Sequence, residues 1–201
     1  MLGLPKSTEL SKQLPKKAIY EKFNMNTAAK EKFDADISRI NIVAEISQGT
    51  VNITKGETVS VIYVLQVILK HKEFEPKTIS QISKLIDQNM VLVLDCDGER
   101  KLAIHHTKLL QTDWKSSNEC SIALTGLNLD TIWENLITQV GSIEIEQGHS
   151  LDEQIASDEQ KAKIEREIAR LERMARNEKQ PKKKFDIVQQ IKKLRGGNGN
   201  G

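Results

Sequence analysis

Thirteen residues, Thr58 to Lys70 (TVSVIYVLQVILK), restrict the fold more than any others. Val59, Val61, Tyr63, Leu65, Val67 and Leu69 alternate onto one face, while Ile62, Val64 and Ile68 fall on the other. A strand that is apolar on both faces belongs inside a sheet that is covered on each side. The N-terminal part of the chain is therefore expected to be built around this strand.

The flanking sequence supplies the rest of an α+β domain. Residues 1–25 mix Leu, Pro and Lys; Leu14-Pro15-Lys16-Lys17 ends a loop, and one or two helical turns follow from Ala18 to Phe23. Asn26 is a good cap for a helix from Thr27 to about Arg39, with Phe33, Ile37 and Ile40 on its buried face. Ile40, Ile42, Ala44 and Ile46 alternate as a strand. Gln48-Gly49 reads as a turn, and Val51 and Ile53 as a short second strand. Pro76 and Thr78 open a helix through Gln88, and Met90 to Leu94 reads as a buried strand. Asp97-Gly98 is a strong hairpin signal, so Arg100 to His105 should return antiparallel. A polar loop around Trp114, a short strand at Ser121–Thr125 and a helix over Leu127–Val140 complete the domain. The expected fold class is α+β, with a mixed, mostly antiparallel sheet and packed helices.

The last third changes character. Ser150 and Glu153 form a capping-box pattern, and no Gly or Pro interrupts the chain from there to Asn177. Ile164, Ile168, Leu171 and Ala175 recur at the spacing of a coiled-coil seam. Pro181 breaks the helix, and Lys184 to Arg195 places Phe185, Val188, Ile191 and Leu194 at helical spacing. Such a narrow stripe does not make a core alone. Either the final helix folds back as an αα-hairpin, or the arm pairs with another chain. The organisation expected is residues 1–148 as the α+β domain, 149–195 as the helical arm, with helices 151–177 and 184–195, and 196–201 as a disordered tail.

Charge is unevenly placed. The whole chain of 201 residues carries +2, too little for a basic field over the entire molecule. From Ser150 onward, however, 13 Lys and Arg face 9 Asp and Glu, a net of +4. Cys96 and Cys120 match no metal or redox spacing and read as small buried hydrophobes of a reducing compartment. No apolar leader and no run of about 18 apolar residues is present. A cytoplasmic protein without membrane contact is expected.

No motif supplies a complete catalytic set. Val91 to Gly98 resembles the first motif of haloacid-dehalogenase-type phosphatases, an apolar strand ending in D-x-D-G at Asp95 and Asp97. Glu99 stands where that chemistry needs Thr or Val two residues after the second Asp, and a hairpin turn explains the same residues. A PD-(D/E)xK nuclease needs an acid-x-Lys strand. Glu45 is followed by Ile46-Ser47, and Ile68 stands two before Lys70. His105 and His106 are neighbours in a strand and point to opposite faces. No catalytic residue, metal ligand or cofactor is assigned. The basic concentration, Arg166, Arg170 and Arg173 on one helical face with Lys182, Lys183 and Lys184 beyond it, is the candidate nucleic-acid contact, opposed by interleaved Glu165, Glu167, Glu172 and Glu178. Ile164, Ile168, Leu171, Phe185 and Ile191 are the candidate partner-binding residues.

Several stretches together carry a family resemblance. They are Leu14-Pro15-Lys16-Lys17, the segment from Lys32-Phe33 to Ile42, the central strand, LTGLNLDTIWENLITQVG, and the helical sequence from Ser150 to Leu194 with its Glu178-to-Phe185 turn. Over about Leu14 to Leu194 the chain is similar to the family known as domain of unknown function 4391. That resemblance implies a bacterial or archaeal setting beside helicases and DNA methyltransferases in restriction-like, phage-defence gene clusters. It implies no catalytic residues. The expectation is a non-catalytic accessory or adaptor subunit whose helical arm docks a helicase, a methyltransferase or a second copy of itself. A nucleic-acid-binding module, with DNA on the basic arm, is the alternative. A divergent nuclease or hydrolase using Asp95 and Asp97 is the second alternative.

Overall fold

The computed structural model describes residues 2–197. The chain divides into two compact units, Met1–Ile143 and Glu144–Gly201. Each is set out by itself.

The first unit is an α+β fold around one sheet. Its strands are β1 (Glu9–Leu14), β2 (Ile37–Ser47), β3 (Val61–Leu69), β4 (Asn89–Cys96), β5 (Glu99–His105), β6 (Leu109–Gln111) and β7 (Lys115–Ser116). They run in the order β1-β2-β3-β4-β5-β6, with β7 pairing β5. Among the described residues β3 and β4 pair parallel, and the other strand neighbours pair antiparallel. That exception follows from the crossover helix α4 (Pro76–Ile82), which carries the chain from β3 back to the start of β4.

Strand β3 is central, as its two-faced apolar pattern requires. Leu65, Val67 and Leu69 point into one core with Leu92 and Leu94 of β4 and Ile40 and Ile42 of β2. Helices α1 (Lys16–Lys22), α2 (Thr27–Asp36) and α4 cover that face through Ile19, Phe33, Ile79 and Ile82. Ile62 and Val64 point the other way and are fully buried. Helix α5 (Leu129–Gly141) serves this second face. Gly141 at its end abuts Leu110, the partner of Ile104 across the β5–β6 pairing.

Local signals place several boundaries. Asn26 caps α2 by accepting from the Ala29 amide at 2.9 Å, and Asn128 caps α5 by accepting from the Thr131 amide at 2.9 Å. Asp97 and Gly98 take φ of 49° and 81°, the left-handed pair that turns β4 into β5 in two residues.

Other expectations are corrected. Residues 9–14 form edge strand β1 where a loop was expected. Its polar side chains give no alternation to read, and it is held by backbone pairing to β2. Val51 ends a short helix, α3 (Gln48–Val51), and Ile53 enters no strand. The Ser47–Thr50 capping interactions close that turn as a helix before a ladder can form. Ser121–Thr125 is not a strand either. Side-chain Gln139 takes the Ala123 amide and donates to the Ser121 carbonyl, replacing a ladder partner. Helix α2 stops at Asp36 rather than Arg39, because Ile37 already joins β2 opposite Leu69.

The second unit holds two helices, α6 (Leu151–Asn177) and α7 (Pro181–Gly197). Pro181 opens α7 and so adds three residues to the helix expected from Lys184. Proline suits a first turn, where the missing amide has no helical partner. Gly196 and Gly197 belong to α7, and residues 198–201 of the expected tail lie outside the described residues. No helix among the described residues is long and apolar enough to cross a membrane.

Candidate functional site

The sheet unit gathers its polar side chains into tied pairs. Asp95 accepts from Arg100 Nε at 2.8 Å and from Gln66 Nε2 at 2.9 Å, with both ionic side chains mostly buried. Both bonds fall on Oδ2, and a carboxylate held this way is a structural anchor. Asp97 sits in the hairpin turn, its Oδ2 3.7 Å from Cys96 Sγ. Burial pushes the Cys96 thiol up, and Asp97 adds to the effect, so this sulfur is a poor nucleophile. Lys72 pairs with Glu99, and the Trp114 ring lies 5.8 Å from Lys72 Nζ and 5.4 Å from Lys101 Nζ. Glu45 stands opposite Tyr63, whereas Gln66 and Ile68 point to the other face of β3. Among the described residues no three His, Cys, Asp or Glu converge as a metal cluster.

The helical unit carries the better candidate. Its first helix is fixed at the N-terminus by a capping box: Ser150 Oγ accepts from the Glu153 amide, and Glu153 Oε2 accepts from the Ser150 amide at 2.8 Å. The Ser150 amide first, and then the Ser150 hydroxyl, which also donates to Glu153 Oε2 at 2.8 Å, hold Glu153 below the usual carboxylate range. Helix α7 packs on α6, and Arg195 Nη2 meets Glu172 Oε1 at 2.6 Å. Within the chain, then, the final helix folds back on α6 as an αα-hairpin.

The packing sorts the apolar residues singled out from the sequence. Leu171 and Ile191 are buried in the chain's own fold, with Ala175. Ile164 and Ile168 are half-buried. Phe185 is 62% exposed, although its spacing matches that of Ile191.

Arg166, Arg170 and Arg173 do share one face, and they rim a cleft of about 530 Å³. Its apolar lining is Ala169, Met174 and Ile187, and Asn177 and Glu178 close one end. The three arginines are not equivalent. Arg170 grips Glu167 with two bonds of 2.8 and 2.7 Å, which raises the guanidinium further and holds Glu167 low. Arg166 Nε donates to the Ala162 carbonyl at 3.2 Å. Arg173, Lys182, Lys183 and Lys184 have no carboxylate partner among the described residues. The lysines lie at the start of α7 and do not line the cleft.

Sequence spacing found the arginines because α6 is one uninterrupted helix. It missed Met174 and Ile187. Met174 lies beside Ala175 of the seam but one position off it, and Ile187 reaches the cleft only once α7 has turned back. Chemically, a cleft with a soft apolar floor and guanidinium edges suits an apolar side chain flanked by carboxylates.

A family model described as domain of unknown function (DUF4391) matches residues 2–196. No curated protein and no solved structure matches the chain.

Proposed function

The chain belongs to the DUF4391 family, and from that premise we propose that it is a non-catalytic accessory subunit that works by docking. In this reading it serves a bacterial helicase–DNA methyltransferase system of the restriction-like, anti-phage kind, and its helical unit makes the protein contacts. The observation that carries the proposal is the cleft on α6, apolar at Met174 and Ile187 and edged by Arg166 and Arg173. Exposed Phe185 adds a second apolar point on α7. An exposed Met and Phe beside cations is the composition of a binding surface more than of a solvated helix face.

The test is co-expression with the helicase and methyltransferase subunits of such a cluster. The full chain should co-purify with one of them, and Met174→Asp with Phe185→Asp should abolish that capture while leaving the fold intact. Undiminished capture by the double variant would reject the helical unit as the docking element.

A second reading, nucleic-acid binding, is favoured by one observation: Arg173, Lys182, Lys183 and Lys184 carry uncompensated charge within one unit. Replacing Lys182, Lys183 and Lys184 by Gln should then weaken DNA binding and flatten its salt dependence. Identical affinity and salt slope in the triple variant would remove this reading.

A further inference from the structure

We propose that the cleft on α6 receives the acidic Glu144-Ile145-Glu146 segment of a second copy of the chain, so that two helical units pair antiparallel. This rests on reading the helical unit as a docking element and names what it docks first.

Charge is polarised along the unit. Residues 144–160 contain six carboxylates and no Lys or Arg. Residues 161–197 contain 13 Lys and Arg against five carboxylates, a net of +8. The unit is therefore acidic at one end of its sequence and basic at the other. Helix α6 keeps the two ends apart, because about 20 residues of helix, from Leu151 to Leu171, span roughly 30 Å. Within its own chain the acidic segment reaches along α6 only as far as Lys161, whose Nζ meets Glu146 Oε1 at 3.0 Å, and it stops short of the cleft. A second copy in antiparallel orientation brings each acidic end beside the other copy's basic end. That arrangement is isologous, closes after two chains, and satisfies both ends at once.

The shapes match at the residue level. Ile145 is 46% exposed and lies between Glu144 and Glu146. Met174, in the cleft, is 45% exposed. Ile145 is flanked by Glu144 and by Glu146, whose carboxylate also pairs with Lys161 of its own chain, and an apolar residue beside acids complements an apolar floor between Arg166 and Arg173. Three of the five large hydrophobic residues exposed among the described residues, Ile145, Met174 and Phe185, fall in this unit, so the pairing covers apolar surface where the fold leaves most of it.

The test is a charge swap read by light scattering on the full chain of 22.7 kDa. One variant carries Arg166→Glu and Arg173→Glu, the other Glu144→Lys and Glu146→Lys. The wild type should have twice the monomer mass at low salt, and the dimer should weaken as salt rises. Each variant alone should dissociate at least about tenfold more readily, and an equimolar mixture of the two should recover the dimer, since both contacts are restored with reversed sign. All four residues are exposed, and Glu146→Lys removes only a surface ion pair with Lys161, so circular dichroism should be unchanged.

A wild type that is monomeric at about 100 μM, where an ordinary weak homodimer would form, overturns the proposal. So does a dimer indifferent to both variants, or a mixture that fails to recover. A monomer that binds duplex DNA through Arg166 and Arg173 hands the cleft to nucleic acid. The docking reading fails separately: a dimer that captures no helicase or methyltransferase subunit sinks the adaptor function alone, and a monomer that captures one sinks only the pairing.

Discussion

Gly56 and Asp130 are fitted to one another. A β carbon on residue 56 would lie 2.2 Å from Asp130 Oδ1, because the carboxylate already fills that space. Asp130, in the first turn of α5, accepts from the amides of Glu57, Thr58 and Val59 and from the Thr58 hydroxyl. The pair binds the loop before β3 to a helix 71 to 73 residues later.

Gly56→Ala should therefore push the carboxylate off its amides and destabilise the sheet unit by about 1–3 kcal/mol, seen as a lower denaturant midpoint. A glycine that merely turned the chain would tolerate alanine, and an unchanged midpoint would contradict the fit.

The same carboxylate has a pH signature. The Thr58 hydroxyl, then the Val59, Glu57 and Thr58 amides, hold Asp130 below its ordinary 3.8. A depressed folded pKa means stability that is present above 3.8 and lost as pH falls through the lower folded value. Asp130→Asn should lower the melting temperature near pH 6 and flatten its fall under acid. A melting curve whose acid slope is identical in the variant would show that the clamp does not titrate with folding.

Tyr20 and Asp34 make a second linked pair, with Tyr20 Oη donating to Asp34 Oδ1 at 2.6 Å. Burial first, then that hydrogen bond and the Asp34 charge, push Tyr20 up to about 12 from 10.0. A raised pKa stabilises the fold below 10.0 and is lost as pH rises through about 12. Ultraviolet titration should show one tyrosine ionising late, and Asp34→Asn should bring it earlier. Coincident early ionisation of both tyrosines would refute the assignment.

Arg100→Met should leave Asp95 with only Gln66 as partner and cost about 1–3 kcal/mol, since the pair is largely buried. Adding Asp95→Asn to it should recover part of that loss, because the orphaned charge is then gone. A double variant no better than the sum of the singles would mean the two residues do not act together.

Leu171 and Phe185 separate fold from surface within the helical unit. Leu171→Ala should cost about 2–4 kcal/mol as a buried truncation, while Phe185→Ser should stay within about 0.5 kcal/mol. Chemical denaturation measures both, and comparable losses would place Phe185 inside the packing instead.

Much of this protein was legible in one dimension because the interactions concerned are local. The two-faced apolar run at Val61–Leu69 had to be a covered central strand. Asn26 and Ser150 had to cap the helices that follow them, since each satisfies amides within three residues; for the helix between them the sequence offered Asn128 or Asp130, and the structure uses Asn128. Asp97-Gly98 had to turn tightly, because both positions reach left-handed φ at little cost. The long α6 needed only an absence of helix breakers. Only tertiary structure decided the rest. Strand β1 has no apolar alternation and exists because β2 offers it a backbone edge. The Asp130 clamp joins residues 71 to 73 positions apart, and Gln66 stands 29 positions before Asp95, so no short window contains them; Arg100, five after Asp95, meets it because the hairpin sets the two opposite one another. The periodicity that put Leu171, Ile191 and Phe185 in one class could not rank them, because burial depends on which face α7 turns toward α6. The same turn brings Ile187 beside Met174 and three arginines, and so makes a cleft from residues that in sequence are only a charged helix and its neighbour.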